Sequence, residues 1–190
     1  RVARRLASLP LEECEILDLG CGTGQELRNL IRFGARPERL HGIDLLSERI
    51  EEARRLAPGI DFREGDATRL PWPDESFDLV MQSTVFSSIV DEGVQIAVAR
   101  EMTRVLKPGG FVLWYDMRVT DPRNRDLVPM TRKRVRALFE GGDVSRISLE
   151  SLTLNPWIVR WLAPHAWWAC SLLEGIPPLR SHLLGWIEKS

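Results

Sequence analysis

At 190 residues with a formal net charge of −1, the chain suits one α/β domain with a full core and is too short for two of ordinary size. The near-neutral balance excludes a global pull towards nucleic acid or an anionic membrane, so a charged partner has to be recognised locally. The cysteines Cys14, Cys21 and Cys170 are odd in number and lack CxxC or Cys/His spacing. That pattern predicts neither a disulfide framework nor a metal site, and it suits a reducing cytoplasm.

The apolar positions Val2, Leu6 and Leu9 predict a short helix over residues 2–9, ended by Pro10. Strands and helices then alternate. Ile16–Leu19 reads as a buried strand, Gln25–Phe33 as a helix, and Leu40–Asp44 as a second strand. Ser47 is the candidate N-cap of a helix with Ile50, Ala53 and Leu56 on one face, stopped by Pro58-Gly59. Residues 60–63 and 77–81 predict the third and fourth strands. Asp91 opens a helix with Val94, Ala97, Val98, Met102, Val105 and Leu106 at steps of three and four. Lys107-Pro108-Gly109-Gly110 ends it and leads into a fifth strand over 111–115.

Residues 117–136 break this rhythm, being rich in Arg, Pro and Asn, and carry a short helical segment around Val135, Leu138 and Phe139. A sixth strand is predicted over 147–154, and Asn155-Pro156 forms an N-cap and first-turn pair for a Trp-rich helix broken at Pro164. A seventh strand closes the pattern at 181–187. The apolar stretch 157–173 contains Arg160, Pro164 and His165, well short of the roughly 20 apolar residues of a membrane span. No signal peptide is read at the basic opening segment. Alternating strands and helices with near-continuous apolar strands predict a mostly parallel sheet covered on both faces, with its ligand at the carboxyl ends of the strands.

The first strand-to-helix turn reads Asp18-Leu19-Gly20-Cys21-Gly22-Thr23-Gly24-Gln25. Its GxGxG spacing departs from the dinucleotide fingerprint GxGxxG, which would need glycine where Gln25 stands. Asp44 ends the second strand, where a carboxylate can accept from both hydroxyls of a ribose. Asp66 follows the third strand and could accept from an adenine amino group; Asp18 precedes the loop, where a cationic group would lie. Three acids around one glycine loop suit an adenosine with a cationic tail and repel a diphosphate. Alone, the glycines could make an ordinary turn and each acid could cap one; together they recur in order at the ends of successive predicted strands.

These residues resemble the class I S-adenosylmethionine-dependent methyltransferases. Residues 16–24 look like motif I, Gly42-Ile43-Asp44 like the acidic second motif, Gly65-Asp66-Ala67 like the adenine-contacting third, 77–81 like the fourth strand, and 104–110 like the turn into strand five. The similarity spans about residues 14–116 and is greatest to the small-molecule "type 11" enzymes. It implies a Rossmann-like three-layer sandwich with a seven-stranded, mostly parallel sheet whose last strand is antiparallel. S-adenosylmethionine would be the donor and S-adenosylhomocysteine the product. The implied donor site is Asp18 with Gly20, Cys21, Gly22, Thr23 and Gly24 on the methionine portion, Asp44 on the ribose, and Leu45, Asp66 and Ala67 on the adenine. Gln82 and Ser83 would lie near the methyl. The expected organisation is one domain over 1–190, with a donor half at 1–116 and an acceptor-side insertion and C-terminal part at 117–190.

On the acceptor side, Asp116 and Tyr115 are candidate catalytic residues, Asp116 as a base or, equally, as a pin for the next loop. His165 is a further candidate base or a packed or surface residue. Arg118, Arg123, Asn124 and Arg132 are candidate substrate ligands for a phosphate or carboxylate, within a basic cluster that also reads as a solvated face paired with Asp121, Asp126 and Glu140. Trp157, Trp161, Trp167, Trp168 and Trp186 read as core packing against the sheet; an exposed stripe would instead favour a lipid-linked or aromatic acceptor. The phrase from Trp114 to Asn124, with the Trp-rich tail, is similar to bacterial methyltransferases associated with surface polysaccharide or secondary metabolism, which implies a small-molecule or saccharide- or lipid-linked acceptor. Two other functions compete: a methyltransferase-like partner without catalysis, and an NAD-dependent oxidoreductase. The latter lacks both the third fingerprint glycine and a Tyr-x-x-x-Lys pair. A DNA amino-methylating enzyme would carry an Asn-Pro-Pro-Tyr-like motif after strand four, where this chain has Gln82-Ser83-Thr84-Val85, so no nucleic-acid partner is expected.

Overall fold

The computed structural model describes residues 9–119 and 126–190. The helix expected over 2–9, and Arg123, Asn124 and Arg125, therefore lie outside the described residues. Within them the order is β1 (Ile16–Leu19), α1 (Gln25–Arg32), β2 (Leu40–Asp44), α2 (Ser47–Leu56), β3 (Asp61–Glu64), β4 (Phe77–Ser83), α3 (Glu92–Val105), β5 (Leu106–Met117), α4 (Arg132–Phe139), β6 (Val144–Leu154), α5 (Pro156–Glu174) and β7 (Arg180–Lys189).

The strands form one seven-stranded sheet in the order β3-β2-β1-β4-β5-β7-β6. β1 pairs in parallel with β2 and β4, β2 with β3, and β4 with β5, while β7 runs antiparallel to both its neighbours. The expected Rossmann-like sheet with an antiparallel last strand is thus present. The order reverses between β1 and β4, because β2 and β3 extend one way and β4 and β5 the other; such a switch point opens a crevice at the carboxyl ends of the strands.

Two apolar layers cover the sheet. On one face Leu17, Leu19, Val80 and Trp114 pack with Val98, Met102 and Val105 of α3 and Val135 and Phe139 of α4. On the other, Ile16, Leu79, Met81 and Leu113 pack with Leu27 and Leu30 of α1 and Ile50 and Ala53 of α2. Side chains of a strand alternate between faces, so four-residue β1, buried at every position, serves both layers. Trp114 is fully buried, with Phe86 at 4.4 Å and Phe139 at 6.0 Å between ring centroids. Truncating it to Ala would cost about 3–5 kcal/mol.

The helix starts follow local chemistry with one correction. The Asp91 carboxylate accepts from the Val94 N–H, Thr131 Oγ1 from Arg134, and the Asn155 amide oxygen from Trp157. Ser47, expected as an N-cap, is instead the first helical residue of α2, and the N-cap is Leu46. The reason is Asp44, whose Oδ1 already accepts from the Leu46 N–H at 3.0 Å.

β4, β6 and β7 run longer than expected, over 77–83, 144–154 and 180–189, and two other strands start elsewhere. β3 begins at Asp61, one residue later than the apolar Ile60 suggested. β5 begins at Leu106 and runs through Met117, because Leu106 pairs with Phe77 before a register shift absorbs Lys107–Gly110 and Phe111 pairs with Leu79.

Candidate functional site

The glycine loop is built on the backbone of β2. Gly20 and Cys21 donate their N–H groups to the Ile43 carbonyl at 2.8 and 3.0 Å. Gly22 donates to Asp44 Oδ2 at 2.9 Å. Gly20, Gly22 and Gly24 all adopt left-handed conformations, with φ of 71°, 53° and 75°. Two of them also have no room for a side chain. A Cβ on Gly20 would lie 2.4 Å from Val85 Cγ2, and one on Gly24 2.5 Å from Phe62 Cζ. The loop is therefore pressed between β3 and the chain after β4, and α1 starts directly from it.

At the switch point lies a cleft of about 600 Å³ lined by Gly20, Asp44, Leu45, Asp66, Ala67 and Ser83, with Arg49, Thr84 and Val85 at its edge. These come from the ends of β1, β2, β3 and β4, so residues far apart in sequence meet as expected. Leu45 is 68% exposed, an apolar side chain facing the opening. Asp66 turns one carboxylate oxygen to the Thr68 N–H at 2.8 Å and keeps the other.

Asp18 is buried beneath the loop rather than lining the cleft. Burial raises its carboxyl pKa well above the usual range, with Glu26 and then Asp44 adding like charge. A cation arriving here would relieve both effects. Cys21 is also buried, and its thiol is pushed up by burial first and then by Asp18 and Asp44; it is a thiol rather than a thiolate nucleophile. Gly22, Thr23 and Gly24 shape the loop without lining the cleft.

After β4, Gln82 gives its amide oxygen to the Val85 N–H at 3.1 Å, while its Nε2 is buried without a partner among the described residues. Thr84 takes φ 58°, an uncommon state for a β-branched residue, and donates its N–H to the Tyr115 carbonyl at 2.8 Å. The turn that follows, Phe86–Ser88, is held by two buried polar groups. Gln95 Nε2 donates to the Phe86 and Ile89 carbonyls at 2.9 and 2.7 Å, and Asp116 Oδ2 accepts from the Ser87 N–H at 3.2 Å.

Asp116 has no exposed surface and its Oδ1 accepts from the Met117 N–H at 2.7 Å. Burial raises its pKa against these hydrogen bonds. Of the two readings of this residue, the geometry fits the loop pin; a base facing the cleft is not what it presents. Tyr115 likewise does not line the cleft. Its ring stacks on His182 at 4.9 Å and its hydroxyl lies 3.0 Å from Thr153 Oγ1.

The basic cluster divides. Arg118 Nη1 and Arg132 Nη2 each donate to Ser151 Oγ at 3.2 Å, Arg132 also bonds the Leu149 carbonyl, and Arg180 donates to the Ser151 carbonyl at 2.9 Å. Three guanidinium groups thus meet at one residue of β6, on neutral oxygens. Arg134 instead serves the packing, donating to Gln95 Oε1 at 3.2 Å with Glu92 at 4.0 Å.

The Trp-rich helix overturns its expected role. Trp161 and Trp167 are about three-quarters exposed, at 75% and 74%, and Trp168 is 59% exposed. α5 has no buried residue. It follows the edge strand β6, so among the described residues it has the sheet on one side only, and it kinks at Ala166 just after Pro164. Trp186, on β7, packs as expected, with its ring 5.0 Å from Phe111, and Trp157 is half-buried. His165 is exposed on the same helix.

Sequence reasoning missed Gln95, Thr84, Arg49 and Arg180. Gln95 carried a usable signal: it is a polar residue on the stripe with Val98, Ala99 and Met102. Thr84 and Arg180 carried none, since a backbone angle and a contact across 29 residues leave no local trace.

Comparison with known proteins agrees with the geometry. Residues 16–110 match the model of the methyltransferase domain family, half of the chain. The chain is 32% identical over 185 residues to a fatty-acid O-methyltransferase of Mycolicibacterium smegmatis, covering 96% of this chain and 61% of that protein. It is 33% identical over 138 residues to a sterol 24-C-methyltransferase of Gibberella zeae, covering 68% of this chain and 34% of that one. The chain thus spans from about a third to about three-fifths of these relatives. Among solved structures, an S-adenosylmethionine-dependent methyltransferase from Mesorhizobium loti superposes with a TM-score of 0.71 at 20% identity, over 99% of this chain and 96% of that one. With its motif I loop, acidic strand ends and sheet order in place, the chain belongs to the class I S-adenosylmethionine-dependent methyltransferases.

Proposed function

We propose that this domain transfers the methyl group of S-adenosylmethionine to an apolar, lipid-like acceptor that carries an anionic group. The observation that carries the donor half is the cleft itself, where Asp44 and Asp66 flank a glycine loop above buried Asp18. Asp44 holds the ribose hydroxyls, Asp66 accepts from the adenine amino group, and Leu45 covers the adenine face. Asp18 takes the charge of the ammonium, which offsets its burial. Gln82 Nε2, buried without a partner among the described residues, donates to an oxygen brought in with the ligand.

When bound, the donor supplies an electrophilic methyl on a sulfonium, and the acceptor displaces it in line. The protein's part is then to position the acceptor and exclude water, for which a strong base is not obligatory. Asp116 and Gln95 act by fixing the turn after β4, which borders the cleft. Support for a lipid-like acceptor comes from the names of the relatives, a fatty-acid and a sterol methyltransferase, and from the exposed tryptophans beside the acceptor-side end of the sheet. Arg118 and Arg132 would bind its phosphate or carboxylate, with Arg180 as a third member. The free thiols of Cys14, Cys21 and Cys170 suit work in a reducing compartment.

Calorimetry with S-adenosylmethionine and with NAD tests the donor, and release of S-adenosylhomocysteine across a panel of fatty acids, sterols and lipid-linked saccharides tests the acceptor. Binding of NAD in place of S-adenosylmethionine would overturn the first part. Turnover restricted to polar, uncharged acceptors would overturn the second.

A further inference from the structure

Helix α5 is apolar around its circumference, and such a helix is ordinarily buried. Here none of its residues is buried, although it leans on β6. Trp161, Trp167, Trp168 and Leu172, with Ile176 just beyond the helix, form its outer side. Tryptophan is the side chain most suited to a boundary between hydrocarbon and water, because a large apolar ring carries one N–H donor.

The charges on the helix and the strand that follows it are mostly positive. From Ser151 to Ile187 the only acidic side chain is Glu174, against Arg160 and Arg180. Arg160 stands over the Trp157 ring at 6.0 Å and is exposed, so its stem can lie along apolar material while its head stays in the polar layer. Arg118, Arg132 and Arg180, resting on Ser151 and neutral oxygens, extend the positive field along the same end of the sheet. The polar head matching this face is anionic, and the apolar part is matched by acyl chains.

Placement supplies the third line of argument. α5 leaves the carboxyl end of β6 and returns to the start of β7, which lies at the same edge because β7 is antiparallel. This is the edge at which the donor cleft opens. A small cavity of about 220 Å³ at the foot of the helix, lined by Met117, Trp157, Arg160 and His182, lies between the two. We infer that α5 is an interfacial helix that seats the domain on an anionic lipid bilayer through Trp161, Trp167, Trp168 and Arg160, with the cleft facing the membrane surface. The helix lies in the plane of the headgroups rather than crossing them; no described helix is long and apolar enough to span a membrane.

This inference stands apart from methyl transfer, since binding to a bilayer is read with neither donor nor acceptor present. The test is flotation and tryptophan fluorescence of the protein with phosphatidylglycerol-containing vesicles and with pure phosphatidylcholine vesicles. The expected result is binding to the anionic vesicles with a blue shift, weakened by raising the salt from about 0.1 to about 0.5 M. The triple variant Trp161→Ser/Trp167→Ser/Trp168→Ser should lose at least about tenfold in vesicle affinity while keeping its calorimetric affinity for S-adenosylmethionine. Arg160→Glu, which leaves the tryptophans in place, should lose the preference for anionic vesicles. Equal binding to both vesicle types, equal binding by the variants, or no vesicle binding together with tryptophan-dependent dimerisation in sedimentation would each overturn it.

Discussion

The carboxylate of Asp44 accepts the backbone N–H of Gly22 at 2.9 Å, so the acid at the end of β2 holds the glycine loop in the shape a ligand meets. Its second oxygen holds the Leu46 N–H, and Arg49 stands 3.8 Å away. One side chain therefore sets the loop and the start of α2 together. Asp44→Asn keeps one acceptor oxygen and should weaken S-adenosylmethionine binding by about tenfold. Asp44→Ala, losing charge-assisted bonds to both ribose hydroxyls, should weaken it by roughly a hundredfold and lower the melting temperature as well. Calorimetry and thermal melting of the two variants check this; equal affinities across wild type and both variants would remove Asp44 from the ribose site.

Gly20→Ala places a methyl group 2.4 Å from Val85 Cγ2 at φ 71°. Strain and overpacking together should cost about 2–4 kcal/mol. Adding Val85→Ala removes the clash but not the backbone strain, so the double variant should recover part of the loss. Denaturant titration of the cycle measures the coupling, and strict additivity would contradict the geometry.

Asp18 links stability to pH. Its folded-state pKa is raised by burial and by Glu26 and Asp44, so the contribution is fully present below the ordinary carboxylate pKa. It is lost as the pH rises through the raised value. Asp18→Asn carries no such titration. In calorimetric melts of the ligand-free protein, its advantage over wild type should therefore widen between about pH 4 and the raised value. The same substitution should abolish donor binding at neutral pH. Parallel stability profiles for the two proteins would mean that Asp18 is not the buried charge described.

Arg118→Gln and Arg132→Gln should raise the KM for an anionic acceptor far more than that for the donor, because both lie on the β6 side of the sheet and away from the cleft. Arg180→Gln belongs to the same set. Each loses one or two hydrogen bonds to neutral oxygens, so stability should fall by only about 1 kcal/mol. Unchanged acceptor kinetics in all three would leave the cluster a purely structural tie on β6.

The donor half was largely legible in the sequence because its logic is local. An apolar run such as Ile16–Leu19, followed by glycines and then an acid at each strand end, states the strand, the turn and the candidate ligand contact within a few residues. The acceptor half depends on what lies against what. Period and composition identify α5 as an apolar helix, but only the topology shows that it follows an edge strand with no layer beyond it among the described residues. Asp116 was ambiguous for a related reason: the same position can face the cleft or the core, and its bond to Ser87 crosses 29 residues. The arginines on Ser151 come from the residue after β5, from α4 and from β7, and no spacing rule connects them.

The place of β7 between β5 and β6 has a consequence for synthesis. Because β6 pairs only with β7, a nascent chain that has produced β1 to β5 can assemble the donor crevice while β6 and the tryptophan helix still have no seat. The β6 end of the sheet is joined to the rest only through residues 180–189, which pair with a strand on either side. The crevice at the switch point needs only β1 to β4, whereas β6 has a place in the sheet only once the last strand has been made.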